Sequence, residues 1–236
     1  MKPHLVTAAA ALALLVVPTI AHAQQAEKSW LQQGVPAPSQ AFEATVGTGY
    51  TQPFGLLRSG VGMPDVAKAG IGVDVAGGYR IDPHWGVSLG GQYQELSAQN
   101  SNASRGVAFT IAAQYHIMPT TRMDPWLELG SGYRMLWQVQ SENNVNNTNP
   151  TVLNHGFQLA RARAGFDVRL SEDIAIAPVI GADATVFLWQ DNSTTTVAIS
   201  DPRVSTFVFA GVQGRLDVGG TKVGTATTTS ATPEYQ

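Results

Sequence analysis

The sequence predicts an all-β chain, an eight-stranded antiparallel up-and-down transmembrane β-barrel, and three observations point there. About eight segments alternate apolar or aromatic side chains on one parity with Gly, Ala or polar side chains on the other. Each is ~10–14 residues long, and ~10 residues is what a tilted strand needs to cross a bilayer. The connections between them alternate long and short, as in barrels with long loops on one side of the membrane and tight turns on the other.

In chain order the strands are expected at 41–51, 69–81, 85–96, 106–117, 126–140, 157–170, 174–189 and 204–218. The clearest is the second: from Gly70 to Ile81 every odd position except Gly77 is apolar or aromatic, and the even ones carry Asp74 and Arg80. The sixth pins its own register. Ala160, Ala162, Ala164, Phe166, Val168 and Leu170 alternate with Arg161, Arg163, Gly165, Asp167 and Arg169. A slip of one residue would put four charges into lipid, at roughly 2–4 kcal/mol for each arginine near the midplane. The long connections are 51–68, 97–105, 141–155 and 190–203, and the short ones 82–84, 118–125 and 171–173.

The two faces carry different chemistry. Phe42, Tyr50, Tyr79, Trp85, Tyr93, Tyr115, Tyr133, Trp137 and Phe166 fall on the outward parity, many near strand ends, where amphipathic rings settle at headgroup level. The inward parity carries Glu43, Asp74, Arg80, Glu128, Arg134, Arg161, Arg163, Asp167, Arg169, Asp183, Arg215 and Asp217, with Gln92, Gln94, Gln114, Gln138 and Gln213 among them. Both signs are present, so the interior can pair its charges. The expected lumen network is Glu43, Asp74, Glu128, Arg134, Arg161, Arg163, Asp167, Asp183 and Arg215, with Arg134 and Arg163 neutralising Asp74 and Asp183 across the barrel.

The N-terminus reads as a secretory signal peptide over 1–23. Lys2 gives the positive start, Leu5 to Val17 an apolar stretch too short to span, and Ala21-His22-Ala23 the small-x-small cleavage site. Removing it takes the net charge from -3 to about -4, which gives no electrostatic reason to expect nucleic acid. Hydrophobic residues are 44% and mean hydropathy is near zero, as expected when only every second residue meets lipid. With no cysteine there is no disulfide framework.

With these strands, the Gly-rich strand ends and the turn running from Tyr79 to Val87, the chain resembles the small outer-membrane β-barrel superfamily that includes the OmpA transmembrane domain and OmpW-like proteins. The resemblance covers about 41–218. It implies a bacterial outer-membrane protein with a periplasmic segment at 24–40, the barrel at 41–218 and a polar periplasmic tail at 219–236. It also implies contact with outer-membrane lipid and with the barrel-assembly machinery. Two features depart from the pattern: Val218 is followed by a polar tail rather than ending on an aromatic residue, and no peptidoglycan-binding domain follows.

Chemistry-bearing motifs are sparse. No His-x-Ser pair of the superfamily's lipid-acting enzymes occurs, and neither a phosphate loop nor a dinucleotide fingerprint in a strand-helix context is found. His84 is expected in a solvated turn and His155 at a loop edge. His116 faces inward near Ser88 and Glu128, a Ser/His/Glu set in principle, though a lumen-plugging hydrogen bond is the preferred reading. The Asn-rich 143–149 and Thr194 to Thr196 read as solvated loops, without the carboxylate spacing of a calcium site. No cofactor or metal is expected. The preferred function is a non-enzymatic surface scaffold that meets an extracellular ligand through its loops. The alternatives are a narrow channel or carrier for small hydrophobic compounds, with the apolar loop from Pro53 to Pro64 lining the entrance, and a lipid-modifying enzyme. An eight-stranded barrel is just wide enough for side chains to fill, which favours a closed lumen.

Overall fold

The computed structural model describes residues 34–98, 103–139, 152–192 and 195–222. Ten strands and one short helix follow in order: β1 (Ala41–Arg58), β2 (Val61–Gly62), α1 (Met63–Val66), β3 (Gly70–Arg80), β4 (Trp85–Ser97), β5 (Ala103–His116), β6 (Met123–Val139), β7 (Val152–Arg169), β8 (Ile174–Asn192), β9 (Thr195–Ala198) and β10 (Val204–Val218). Eight of them make the wall. Each long strand pairs antiparallel with the next, and β10 pairs with both β8 and β1, so the sheet closes on itself.

Alternation decides which residues face out. Leu129 is 68% exposed and Phe42 67%, with Ile71, Leu89, Ile111 and Ile180 similarly bare. Such a continuous apolar wall is tolerable only against lipid. The inward parity is buried instead. On β7, Gln158 and Arg161 are both buried while Leu159 and Ala160 between them are exposed, because a bulge between Gln158 and Ala160 inserts one residue and resets the alternation.

The barrel is taller on its long-loop side than the sequence alone suggests. β1 runs on to Arg58 rather than stopping near 51, β7 starts at Val152, and β8 runs to Asn192 beside the added strand β9. Pro53, which offers no N–H to a ladder, lies within this extension of β1. Beyond Thr51, however, β1 has left β3 and pairs with β10, so Pro53 sits on a one-sided stretch where a missing N–H is tolerated.

The expected loop entrance is therefore a correction. After β1 the chain doubles back through β2 into α1, with Pro64 in its first turn and Asp65 accepting the Gly62 N–H at 3.1 Å. Leu57, Met63, Val66 and Ala67 are buried against Leu96, Leu136, Phe187, Ile199 and Phe207. The segment closes this mouth with an apolar plug instead of lining an opening. At the opposite end, residues 34–40 lie across the mouth: the Ala37 N–H donates to Pro119 O at 2.9 Å, and Ser39 bridges Thr221. The 5–6 connection and β1 stand on opposite sides of the ring, so this strap spans its diameter. The signal-peptide region 1–23, residues 143–149 and most of the 219–236 tail lie outside the described residues.

Candidate functional site in the barrel lumen

Seven buried arginines, Arg80, Arg122, Arg134, Arg161, Arg163, Arg169 and Arg215, share the lumen with seven acids, Glu43, Asp74, Asp124, Glu128, Asp167, Asp183 and Asp217. They form two layers below the apolar plug. The strands place them by simple alternation, so each ring of the wall contributes inward groups at one height.

The lower layer lies at the short-turn end. Arg80 Nη2 approaches Glu43 Oε1 at 2.6 Å, and Arg215 Nη1 reaches the same oxygen at 3.3 Å. Arg215 Nε lies 3.4 Å from Asp167, whose other oxygen accepts the Trp126 indole N–H at 2.9 Å. Arg169 pairs with Asp217 at 2.9 Å. Arginines also close the floor on backbone carbonyls: Arg169 donates to Glu172 O, Arg80 to Pro83 O and Arg122 to Arg169 O. Trp126 fits because β7 carries Gly165 beside it; a Cβ there would stand 2.6 Å from the indole.

His116 belongs to this layer. Its Nδ1 lies 2.6 Å from Asp124, and its Nε2 accepts from Arg215 Nη1 at 3.0 Å. An arginine can only donate, so Nε2 carries no proton, Nδ1–H donates to Asp124 and the ring is neutral. The Ser/His/Glu set does not form here: Ser88 and Glu128 line a polar cavity higher up. Asp124 lies only eight residues on, just outside the expected strand 126–140, and Arg215 comes from the far side of the sequence. Ligand atoms of His116, Asp124 and Asp167 lie within 4.8 Å of one another. A metal does not fit them, because both ring nitrogens are already engaged and Arg215 brings a cation into the centre.

The middle layer holds the rest of the expected network. Arg134 pairs with Asp183 at 2.6 Å, donates to Gln94 Oε1 and lies 4.0 Å above the Phe207 ring. Arg161 bonds Asp74 at 2.9 Å and Thr110 at 3.2 Å, and lies 3.8 Å from both Glu128 and Asp183. Arg163 sits more loosely, 3.6 Å from Asp74 and 3.8 Å from Glu128. Beside these three residues is a polar cavity of about 30 Å³, reached also by Glu43, Ser88, Thr110 and Gln213. That is room for a water or two to bridge groups the side chains leave apart.

All nine expected lumen residues face inward; Glu43, Asp167 and Arg215 meet in the lower layer and the other six in the middle one. Sequence reasoning missed Asp124, Trp126, Arg122 and the inward Phe187, Phe207 and Phe209. Trp126 and Asp124 share the parity of Glu128, and Phe207 and Phe209 that of Gln213 and Arg215, so carrying the alternation outward would have found four of them. Outside the wall, the Asp82 carboxylate is held below its ordinary range by the backbone N–H groups of Trp85 and His84. Lys222 is raised by hydrogen bonds to Asp173 and Glu172, which fasten the chain past β10 to the turn before β8.

No protein-family profile and no curated protein sequence matches the chain. Solved structures do. Neisserial surface protein A superposes with a TM-score of 0.52 at 10% identity, over 74% of this chain and 96% of that one. Outer membrane protein OprG of Pseudomonas aeruginosa gives 0.48 at 13%, over 77% and 98%. Ail, the attachment invasion locus protein of Yersinia pestis, gives 0.41 at 14%, over 74% and 98%. At such identities the likeness is one of fold, and with an apolar outer wall closed around a charged interior this chain has the fold of the small eight-stranded outer-membrane β-barrels.

Proposed function

We propose that the chain is a bacterial outer-membrane protein that acts as a non-enzymatic scaffold or interaction protein, with its short turns in the periplasm and its long loops outside. One observation carries this reading: apart from a polar cavity of about 30 Å³, the lumen is filled by seven arginines facing seven acids and by a plug of Leu57, Met63 and Val66 above them. Such a core stiffens a platform; it leaves recognition to the loops. In this reading residues 1–23 direct export, the assembly machinery inserts the strands, and the partners are lipid and an extracellular ligand at the loops.

Planar-bilayer recording on refolded full-length protein tests the closed lumen. No unitary conductance is expected, and reproducible single-channel steps would overturn the scaffold reading. Topology is tested separately by single-cysteine labelling, which the cysteine-free chain makes unambiguous. Cysteines at Asn146 or Thr195 should react on intact cells and one at Asp173 should not. A second reading, a carrier for small apolar compounds, draws on the apolar cup that Leu96, Leu136, Phe187 and Phe207 form beneath the plug. Running the same bilayers with and without a hydrophobic solute separates the two readings.

A further inference from the structure

A second cluster lies on the outward face, at the upper end of β6, β7 and β8, and the lumen makes no use of it. The Tyr133 hydroxyl bonds His155 Nδ1, and His155 Nε2 lies 3.3 Å from Asp191 Oδ2. The imidazole stacks on Trp189 with centroids 5.5 Å apart at 25°. Phe157 meets Tyr133 and Trp189 edge-on.

The chain departs from regular strand geometry to build this cluster. Phe187 is buried inside the barrel, so strict alternation would send Trp189 and Asp191 inward as well. Instead His155 pairs with Trp189 while Gly156 pairs with Phe187, leaving Leu188 as an inserted residue. Bulges of this kind re-aim side chains. Here the bulge turns Trp189 and Asp191 outward to meet His155. It also needs Gly156, since a Cβ at that position would come 2.1 Å from Val186 O.

Other rim tyrosines are simpler. Tyr50 bonds Gln52 and Tyr93 bonds Glu95, each two places along its own strand. The His155 cluster draws on three wall strands, with β9 pairing Thr196 opposite Asp191. With the phenol donating to Nδ1, the Nε2–H faces the carboxylate, so the imidazole is neutral and fixed in orientation. About a third of the Asp191 side chain remains exposed. The exposed Phe157 ring beside Trp189, edged by the part-exposed Asp191 carboxylate and the Tyr133 hydroxyl oxygen, suits a ligand with an apolar C–H face and hydroxyl edges, which is a pyranose ring. At the top of the lipid-facing rows, the sugar within reach is one carried by a lipid.

We propose that Tyr133, His155, Trp189 and Asp191 form a binding site for the sugar headgroup of a glycolipid in the outer leaflet. The assignment rests on the membrane-barrel reading above. It is tested with full-length protein in phosphatidylcholine vesicles with and without lipid A, a glucosamine-disaccharide lipid. Binding is read from the Trp189 emission, taken as native minus Trp189→Phe, and from the unfolding midpoint.

Lipid A should shift both signals in the native protein, and Asp191→Asn should bind about tenfold more weakly, the loss of one hydrogen bond to a charged group. In vesicles without lipid A, Asp191→Asn should unfold like the native chain; should it fail to fold, His155→Gln serves in its place. Equal responses from native and variant proteins, or none from either, would overturn the site. So would equally tight binding of the free glucosamine disaccharide, which would make the ligand a soluble saccharide. Cleavage of lipid A, seen by mass spectrometry, would replace binding with catalysis, since hydroxyl, imidazole and carboxylate stand in the order of a hydrolytic triad. Failure to insert into vesicles lacking lipid A would instead count against the barrel reading itself.

Discussion

The two ends of the barrel are closed by opposite chemistry. At the short-turn end, Arg80, Arg122 and Arg169 donate to backbone carbonyls beneath a strap of 34–40, Glu43 and Asp217 hold Arg80 and Arg169, and Asp167 holds Arg215 beside them. At the long-loop end the described residues make an apolar seal: Leu57, Met63 and Val66 from a doubled-back segment fill a cup of Leu96, Leu136, Phe187 and Phe207. Directional bonds between groups that cannot be left alone in a dry site make the first closure all-or-none. Apolar contact is non-directional and lost in small increments, so the second closure can loosen without the first.

Removing a cation from the ionic end should show the largest effect. Arg215→Ala leaves Glu43 and Asp167 short of a partner and His116 Nε2 without its donor, and about 3–5 kcal/mol of stability should go with it. The unfolding midpoint in urea on detergent-solubilised protein measures this, and a loss no larger than that of a surface arginine would erase the contrast between the ends.

Met63→Ala attacks the apolar end. About 2–3 kcal/mol is expected, low in the range for a buried methionine because a mouth can partly collapse. The loss should appear as faster hydrogen exchange in 57–67, with exchange in β3 and β4 unchanged and bilayer conductance still absent. Conductance appearing in Met63→Ala would mean that the plug, and not the charged layers, is the seal.

Arg163→Ala probes the layer between. Its ion pairs are longer than those of Arg215 and it borders the polar cavity, so water can replace it at a cost of about 1–3 kcal/mol. If Arg163→Ala costs as much as Arg215→Ala, the cavity is as dry as the floor.

The smallest effect lies outside the wall, in the 81–84 turn. The folded-state pKa of Asp82 is depressed, so its contribution is present above the unfolded pKa and is lost as pH falls through the folded one. Native protein and Asp82→Asn should therefore differ in midpoint at neutral pH and converge below about pH 4. A difference that persists at lower pH would show that the turn is held by something other than the ionised carboxylate.

Alternation made the wall legible from sequence because a strand has one period and the two media differ sharply. Arg161, Arg163 and Arg169 cannot face lipid, and that alone sets which face of β7 turns inward. The reading weakened where the chain leaves the bilayer. Above the membrane both faces of a strand can be mixed, so the extra lengths of β1 and β8 lost their signal, and the one-sided pairing that admits Pro53 depends on where β3 ends. The lumen's members were legible by parity, but their partners were not. His116 meets Arg215 of β10 only through the shear of the closed barrel, a quantity no single strand encodes.

The closing seam brings a further constraint, on how such a chain enters a membrane. Glu43 on β1 grips Arg80 on the neighbouring β3 and also Arg215 on β10, the last of the described strands. The inward row of β7 carries three arginines and one aspartate, and their acids come from β1's neighbours β3 and β10 and from β6 and β8. A sheet of β6, β7 and β8 alone would hold Glu128 and Asp183 but would leave Arg161 and Arg163 without Asp74 and Arg169 without Asp217. The full set of lumen pairs therefore exists only once β10 meets β1, so closing the seam and neutralising the interior are one event.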